Sequence, residues 1–332
     1  MAIDWAVALV SAGVFAATLW LTGAVREWLG RRAILDRPGH RSSHHAPVPR
    51  GGGVAVVATL LAGWIILALI RPEPAGIGVV IAAAAVLALV SWRDDLRSLP
   101  AGARLAAHAV AAIIGVAWLP ASAQVFQGLL PHLLDRAAAA VLWVWFVNLY
   151  NFMDGIDGIA GSETACLGLG IAVALGFAGA SGDGTAGLAL VAAAAALGFL
   201  RWNWHPAKVF LGDVGSVPLG YLLGWLLLDL AGSGWWAPAL ILPLYYLADA
   251  TITLARRAGR GERIWQAHRE HFYQRALAPD GDHAAVVRII LLGNAGLVAL
   301  AAFAAAQPIP ALIAAVLVTA GMLTALERRS RG

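Results

Sequence analysis

The sequence predicts an all-α polytopic integral membrane protein of about ten to eleven transmembrane helices, organised as one membrane-embedded domain over residues 1–332. Three observations predict it. The chain is 60% hydrophobic and 13% charged with a mean hydropathy of +0.76, values that exclude an ordinary soluble domain. Apolar runs recur at the spacing set by the roughly 20 residues a helix needs to cross a bilayer. Basic residues fall almost entirely on alternate sides of those runs.

The first span, near 6–25, follows Met1-Ala-Ile-Asp4, which lacks the positive n-region of a cleaved signal peptide, so it is expected to be retained. A basic loop near 26–51 leads into a second span near 52–71 that opens on Gly51-Gly52-Gly53. The third, near 75–92, ends at Trp92-Arg93-Asp94-Asp95 and precedes a loop near 93–103. Two short spans follow near 103–119 and 136–152, the second running into a polar stretch near 150–158. The sixth and seventh, near 158–180 and 185–201, are separated from an eighth near 213–231 by the loop 201–213. A ninth near 236–254 precedes the longest polar insert, 255–285, and two further spans near 286–305 and 308–326 complete the chain. Tryptophans at span ends, among them Trp92, Trp202, Trp204 and Trp235, suit an interfacial belt.

With this division, 21 of the 23 basic residues fall on one face, and only Arg71 and Arg136 fall on the other. A wrong span count would scramble that alternation. It predicts an N-terminus outside, a C-terminus in the cytoplasm, and cytoplasmic placement of all five polar loops. The same asymmetry accounts for a pI near 9.7 without nucleic acid as a partner. The single cysteine, Cys166, excludes an internal disulfide and a thiolate metal cluster.

Four polar motifs converge on the basic face. They are Asp94-Asp95; Asn148-x-x-Asn151-x-x-Asp154-Gly155-x-Asp157-Gly158; Lys208-x-Phe210-x-Gly212-Asp213-x-Gly215-Ser216; and His268-Arg269-Glu270-His271. Each alone has a plain structural reading: a solvated acidic pair, a helix cap at Asp213, a surface pair of histidines. Together they form a site expectation, because ionisable groups at a membrane span are costly unless they face a polar cavity. Adjacent Asp94 and Asp95 repel, which raises the proton affinity of at least one, as a general base requires. Such carboxylates, Asp213 included, could instead hold Mg²⁺, a hard cation that completes its shell with water and phosphate. Gly155, Gly158, Gly212 and Gly215 are expected to bring helix-start N–H groups to phosphate oxygens, and the three glycines from Gly51 to do the same. Lys208, Arg269 and the histidines could neutralise a diphosphate. The set suits phosphoryl transfer involving a lipid, where positioning and charge neutralisation dominate.

These motifs, with Arg41-Ser-Ser-His44 and Pro49-Arg50-Gly51-Gly-Gly53 before them, occur in the order of a known family. Over roughly residues 30–280 the chain resembles the polyprenyl-phosphate N-acetylhexosamine-1-phosphate transferases, the glycosyltransferase family 4 group. The resemblance implies transfer of N-acetylhexosamine-1-phosphate from a UDP-N-acetylhexosamine to undecaprenyl phosphate, with Mg²⁺ (Mn²⁺ as a substitute) and release of UMP. It implies a lipid bilayer of the bacterial inner membrane as the setting, and leaves a homodimer open. By the same resemblance Asp213 matches a metal-binding position, and Asp94 and Asp95 match a pair linked to the lipid phosphate. Asn151, Asp154 and Asp157 match a nucleotide-site motif and Phe210 a position against uracil, while Asn148, Lys208, Arg269 and Arg50 join them as substrate-binding candidates. His268 and His271 match a late catalytic motif near the diphosphate. The H-R-x-H form, Arg41-Ser-Ser-His44 and Trp202-Asn-Trp204-x-Pro206 resemble the O-antigen-initiating subgroup, and point away from a phospho-MurNAc-pentapeptide substrate, which stays as the alternative.

Two other readings compete. Asp154-x-x-Asp157-Gly158 mimics the start of a CDP-alcohol phosphotransferase signature, but Ala160-Gly161-Ser162-Glu163 does not continue it. An ion-coupled transporter would use Asp249, Asp229 and Glu163 as a path, and would place acidic groups at mid-membrane and on both faces.

Overall fold

The structure, a computed structural model, describes residues 4–36, 47–180, 184–263, 266, 268–277 and 281–331. The Arg41–His44 motif lies outside the described residues. Long apolar segments close their own backbone hydrogen bonds as helices, the arrangement a bilayer demands. These are α1 (Trp5–Arg31), α2 (Gly53–Ile70), α3 (Ile77–Leu96), a shorter α4 (Ala101–Ala117), α5 (His132–Met153), α6 (Ile159–Phe177), α7 (Gly184–Asn203) and α8 (Asp213–Gly232). After α8 come two shorter pieces, α9 (Trp236–Ile241) and α10 (Leu244–Gly259), then the single turn α11 (Phe272–Arg275) and the long α12 (His283–Phe303) and α13 (Pro308–Arg329).

Among the described residues nine helices are long and apolar enough to span a membrane. The expected fourth span is the 17-residue α4. The expected ninth is corrected: it is broken at Pro243 into α9 and α10, since proline has no N–H to donate and crowds the preceding turn.

The outermost helices turn Trp5, Leu9, Trp20, Leu69, Leu89, Val141 and Leu317 outward, the surface a lipid environment accepts. Helix α8 is apolar on all sides and its apolar stretch is buried throughout, so it forms the centre against which α2, α3 and α5 pack. A two-residue antiparallel pair, β1 (Leu35–Asp36) with β2 (Val48–Pro49), brings the first loop to the start of α8. There Gly51 and Gly52 donate their N–H groups to the Phe210 carbonyl and Gly53 donates to that of Leu211. A Cβ on Gly53 would collide with the backbone of Gly215, so glycine here permits α2 and α8 to touch at their N-termini. The amides of these three glycines, expected to face phosphate, are thus consumed within the fold.

Candidate active site

The site forms where the C-terminal ends of α3 and α5 meet the N-terminal ends of α4 and α8. Asp95 comes from the last turn of α3, yet it caps α8. Its oxygens accept from the backbone N–H groups of Asp213 (3.1 Å) and Val214 (2.9 Å). The residue before α8 is Gly212, which has no capping side chain. Its φ of +76° favours glycine, and a Cβ there would press on Asp95 Oδ2. Asp95 Oδ1 also lies 2.8 Å from Arg50 Nη2, and the Asp95 side chain is only 1% exposed.

Arg50 Nη2 reaches Asp213 Oδ1 at 2.9 Å, so one guanidinium joins the two carboxylates. Burial works against that charge, but Asp95, Asp213 and Asp36 outweigh it and hold the Arg50 pKa above its ordinary value. Asp94 is bound differently. Its Oδ1 accepts from Leu99 N–H and its Oδ2 from Arg104 Nη1 at 3.1 Å, and the same Arg104 nitrogen lies 3.7 Å from Asp213 Oδ2.

Asp154 ends α5 with no hydrogen bond to its carboxyl among the described residues. Burial, with the charges of Asp213, Asp95 and Asp157 against that of Arg50, pushes its pKa up to about 7. Asn151 Oδ1 accepts from Ser216 Oγ at 2.6 Å, and Asn148, whose Nδ2 donates to the Val144 carbonyl at 2.7 Å, lies beside His108 of α4. A cavity of about 390 Å³ opens among these groups, lined by Asp94, Arg104, His108, Asn148, Asn151 and Asp213, with apolar walls from Val90, Leu105, Phe152 and Val217.

Asp157 belongs to a neighbouring clamp. Its carboxylate meets His205 Nδ1 (2.7 Å), the Ala207 N–H (3.0 Å) and His283 Nδ1 (3.3 Å), and its own N–H donates to His283 Nδ1 (3.1 Å). Burial disfavours its charge, but these partners hold its pKa below the usual carboxylate range. The three side chains are spaced closely enough to hold a metal ion, with ligand atoms within 4.8 Å of one another. The same nitrogens, however, already serve Asp157, and the arrangement ties the 154–158 segment to α12.

The late histidine motif is organised by Asp249 of α10. Its carboxylate receives the Phe272 N–H (3.0 Å), the Tyr273 N–H (3.2 Å), Tyr245 O–H (3.2 Å) and His271 Nδ1 (3.1 Å). His271 is therefore buried in an anchor, 2% exposed. His268 stacks on it with ring centroids 4.8 Å apart, and burial beside His271 and Arg257 pushes the His268 pKa down to about 4. Tyr273 O–H donates to the Phe152 carbonyl at 3.0 Å, joining this anchor to the end of α5.

The structure thus brings Asp94, Asp95, Asp213, Arg50, Asn148, Asn151 and Asp154 into one site. It places Asp157, His268 and His271 in adjoining clamps. Lys208 is exposed over the Trp202 ring at 5.9 Å, Arg269 is exposed, and Phe210 pairs by its backbone with Pro49 and Arg50. Arg104, His108, His205 and His283 were missed by sequence reasoning, which considered Asp249 only as part of an ion path. The i, i+4 pair Arg104 and His108 in an otherwise apolar helix was a readable signal for two of them. Of the acids a transporter would use, Asp229 accepts from Thr185 and Glu163 from Asn294, each at 2.6 Å, while Asp249 holds the histidine anchor.

The family profile described as glycosyl transferase family 4 matches residues 77–231, the stretch from α3 to α8 that carries most of these groups. A decaprenyl-phosphate N-acetylglucosaminephosphotransferase of Mycobacterium tuberculosis is 30% identical over 98% of this chain and 90% of its own length. The chain belongs to glycosyl transferase family 4. Two further relatives of this family 4 transferase are each 28% identical. One is a probable undecaprenyl-phosphate N-acetylglucosaminyl 1-phosphate transferase of Bacillus subtilis, aligned over 82% of this chain and 78% of that protein. The other is a phospho-N-acetylmuramoyl-pentapeptide-transferase of a Picosynechococcus strain, aligned over 65% and 62%.

Proposed function

We propose that this family 4 transferase moves N-acetylhexosamine-1-phosphate from a UDP-N-acetylhexosamine to undecaprenyl phosphate at the cytoplasmic face of a bacterial inner membrane. An oxygen of the lipid phosphate attacks the phosphorus that bears the sugar. The bond from that phosphorus to the UMP oxygen breaks, UMP leaves with the electron pair, and a lipid-linked sugar diphosphate remains. The observation that carries the reading is the charge balance of the site. Among the described residues the four carboxyl groups of Asp94, Asp95, Asp154 and Asp213 share two guanidiniums, Arg50 and Arg104, so hard oxygen donors outnumber the cations beside them.

That donor set fits Mg²⁺, and Mn²⁺ in its place. Asp213 and Asp154 would hold it, and when bound it would neutralise charge on the sugar diphosphate. Asp95 caps α8 and orients Asp213, so within the acidic pair Asp94 is the residue left to aim the lipid phosphate and keep it deprotonated. Arg104 and Arg50 would turn from carboxylate to phosphate oxygens. Asn151 and the clamped Asp157 would receive the nucleotide. N-acetylglucosamine is the first sugar to try, because two of the three relatives described carry it in their names.

The test is an assay of purified protein with undecaprenyl phosphate, Mg²⁺ and a panel of UDP-N-acetylhexosamines, scored for UMP and lipid-linked product. Turnover with the MurNAc-pentapeptide nucleotide alone would select the alternative sugar. Absence of UMP with every donor would defeat the transferase reading.

A further inference from the structure

His108 stands one turn from Arg104 on α4 and lines the same cavity as Asp94 and Asp213, yet the chemistry above leaves it without a task. It is 5% exposed, it lies beside Asn148 of α5, and its Nδ1 atom is buried with no hydrogen-bond partner among the described residues. A buried ring nitrogen left unpaired carries a desolvation penalty that a ligand oxygen would remove. The surroundings say which ligand. Leu105, Val90 and Phe152 make the nearby wall apolar, and the outer face of α4 shows exposed Val110, Ile113 and Ile114. An amphiphile entering from the bilayer would bring its head group to this side of the cavity.

We propose, on the transferase reading above, that His108 binds the phosphate of the acceptor lipid. The Nδ1 proton is donated to a non-attacking phosphate oxygen, and the Asn148 amide fixes the ring, since an amide offers either donor or acceptor. Arg104, on the same face of α4, supplies the charge for the same phosphate. A bracing role between α4 and α5 would need only the contact with Asn148 and gives no reason for the unpaired Nδ1.

The test replaces His108 by asparagine and by glutamine. Asn places an amide near the position of Nδ1 and Gln places one near Nε2. The H108Q variant should raise KM for undecaprenyl phosphate, and for the short-chain probe farnesyl phosphate, by at least about tenfold, a step of about 1.4 kcal/mol in binding. KM for the UDP-sugar should stay within about twofold, and H108N should recover most of the loss. Farnesyl phosphate, but not farnesol, should raise the melting temperature of the wild type and of H108N and leave H108Q unmoved. Equal rises in both KM values, equal behaviour of the two variants, or no change in either would overturn the assignment. A wild type that releases UMP while the His108 variants match it defeats this proposal alone. A wild type that never releases UMP defeats the transferase reading beneath it.

Discussion

Removing the Asp95 carboxylate tests whether the acidic pair divides into an anchor and a working group. In Asp95→Ala the backbone N–H groups of Asp213 and Val214 lose their acceptor, and Arg50 loses a partner at 2.8 Å. Hydrogen bonds to a charged group contribute about 1.5–3 kcal/mol each, and breaking a buried ion pair costs about 3–5 kcal/mol. These contributions overlap, since one carboxylate makes them all, and Arg50 is 37% exposed, so the lower end applies. A loss of about 3 kcal/mol, at roughly 2–4 °C per kcal/mol, lowers the melting temperature by about 6–12 °C. Asp94→Asn differs. An amide oxygen can still accept from Leu99, and the Arg104 contact is half-exposed, so the expected loss is about 1 kcal/mol or less. Melting in detergent, followed by tryptophan fluorescence, compares the two variants directly. The expected result is an early-melting Asp95→Ala and a near-normal Asp94→Asn that has lost lipid-dependent turnover. An Asp95→Ala protein melting within about 2 °C of the wild type would refute the cap, because the two α8 amides would then have no need of it.

Asp213→Asn should abolish transfer while leaving the protein folded, since Arg50 retains Asp95; full turnover would remove Asp213 from the metal assignment. Asp154 has a folded pKa of about 7, above the ordinary carboxylate value, so the stability it contributes is present below about pH 4 and is lost as pH rises through 7. Metal-free protein should therefore melt earlier at pH 8 than at pH 6, and Asp154→Asn should flatten that slope; an unchanged slope in the variant would exclude Asp154 as its source. Gly53→Ala forces a Cβ into the backbone of Gly215 and should cost about 1–3 kcal/mol, read as lower yield and earlier melting; a normal melt would show that α2 can shift away freely. Asp249→Asn leaves several donors competing for a neutral amide and should expose the 268–277 segment to protease; unchanged digestion would leave the anchor unneeded.

The helical spans were legible because lipid-exposed backbone must satisfy itself locally, so length and apolarity nearly suffice. The exception is instructive. The run 236–254 is apolar enough to read as one helix, and the break appears only when Pro243 is given its missing donor. The site was legible as motifs, since Asn148 to Gly158 and Lys208 to Ser216 are contiguous in sequence. The division of labour was not. Asp94 and Asp95 are neighbours in the chain, yet on a helix successive side chains point about 100° apart. One therefore faces the cavity and the other the start of α8, more than a hundred residues later. The three glycines from Gly51 misled for the same reason: their amides are taken by carbonyls at Phe210 and Leu211, partners that no local pattern announces.

Counting hydrogen bonds separates the groups that hold the fold from those that await a ligand. In an apolar interior an ionised carboxylate persists only with partners, and Asp95, Asp157 and Asp249 each receive at least two backbone or side-chain donors that join separate elements. They are spent on structure, and each aims a neighbour: Asp213 at the start of α8, the 154–158 segment, and the turn at Phe272. Asp154 is the opposite case. It sits among three other carboxylates, and its proton affinity is raised by burial and by their charge. Such a group lowers the stability of the empty protein at neutral pH, a cost retained where activity needs a strained or charge-crowded site. A cation or a cationic substrate group removes the repulsion and can bind only where the repulsion exists. The crowding of carboxylates at this helix junction is therefore itself the affinity for what binds there.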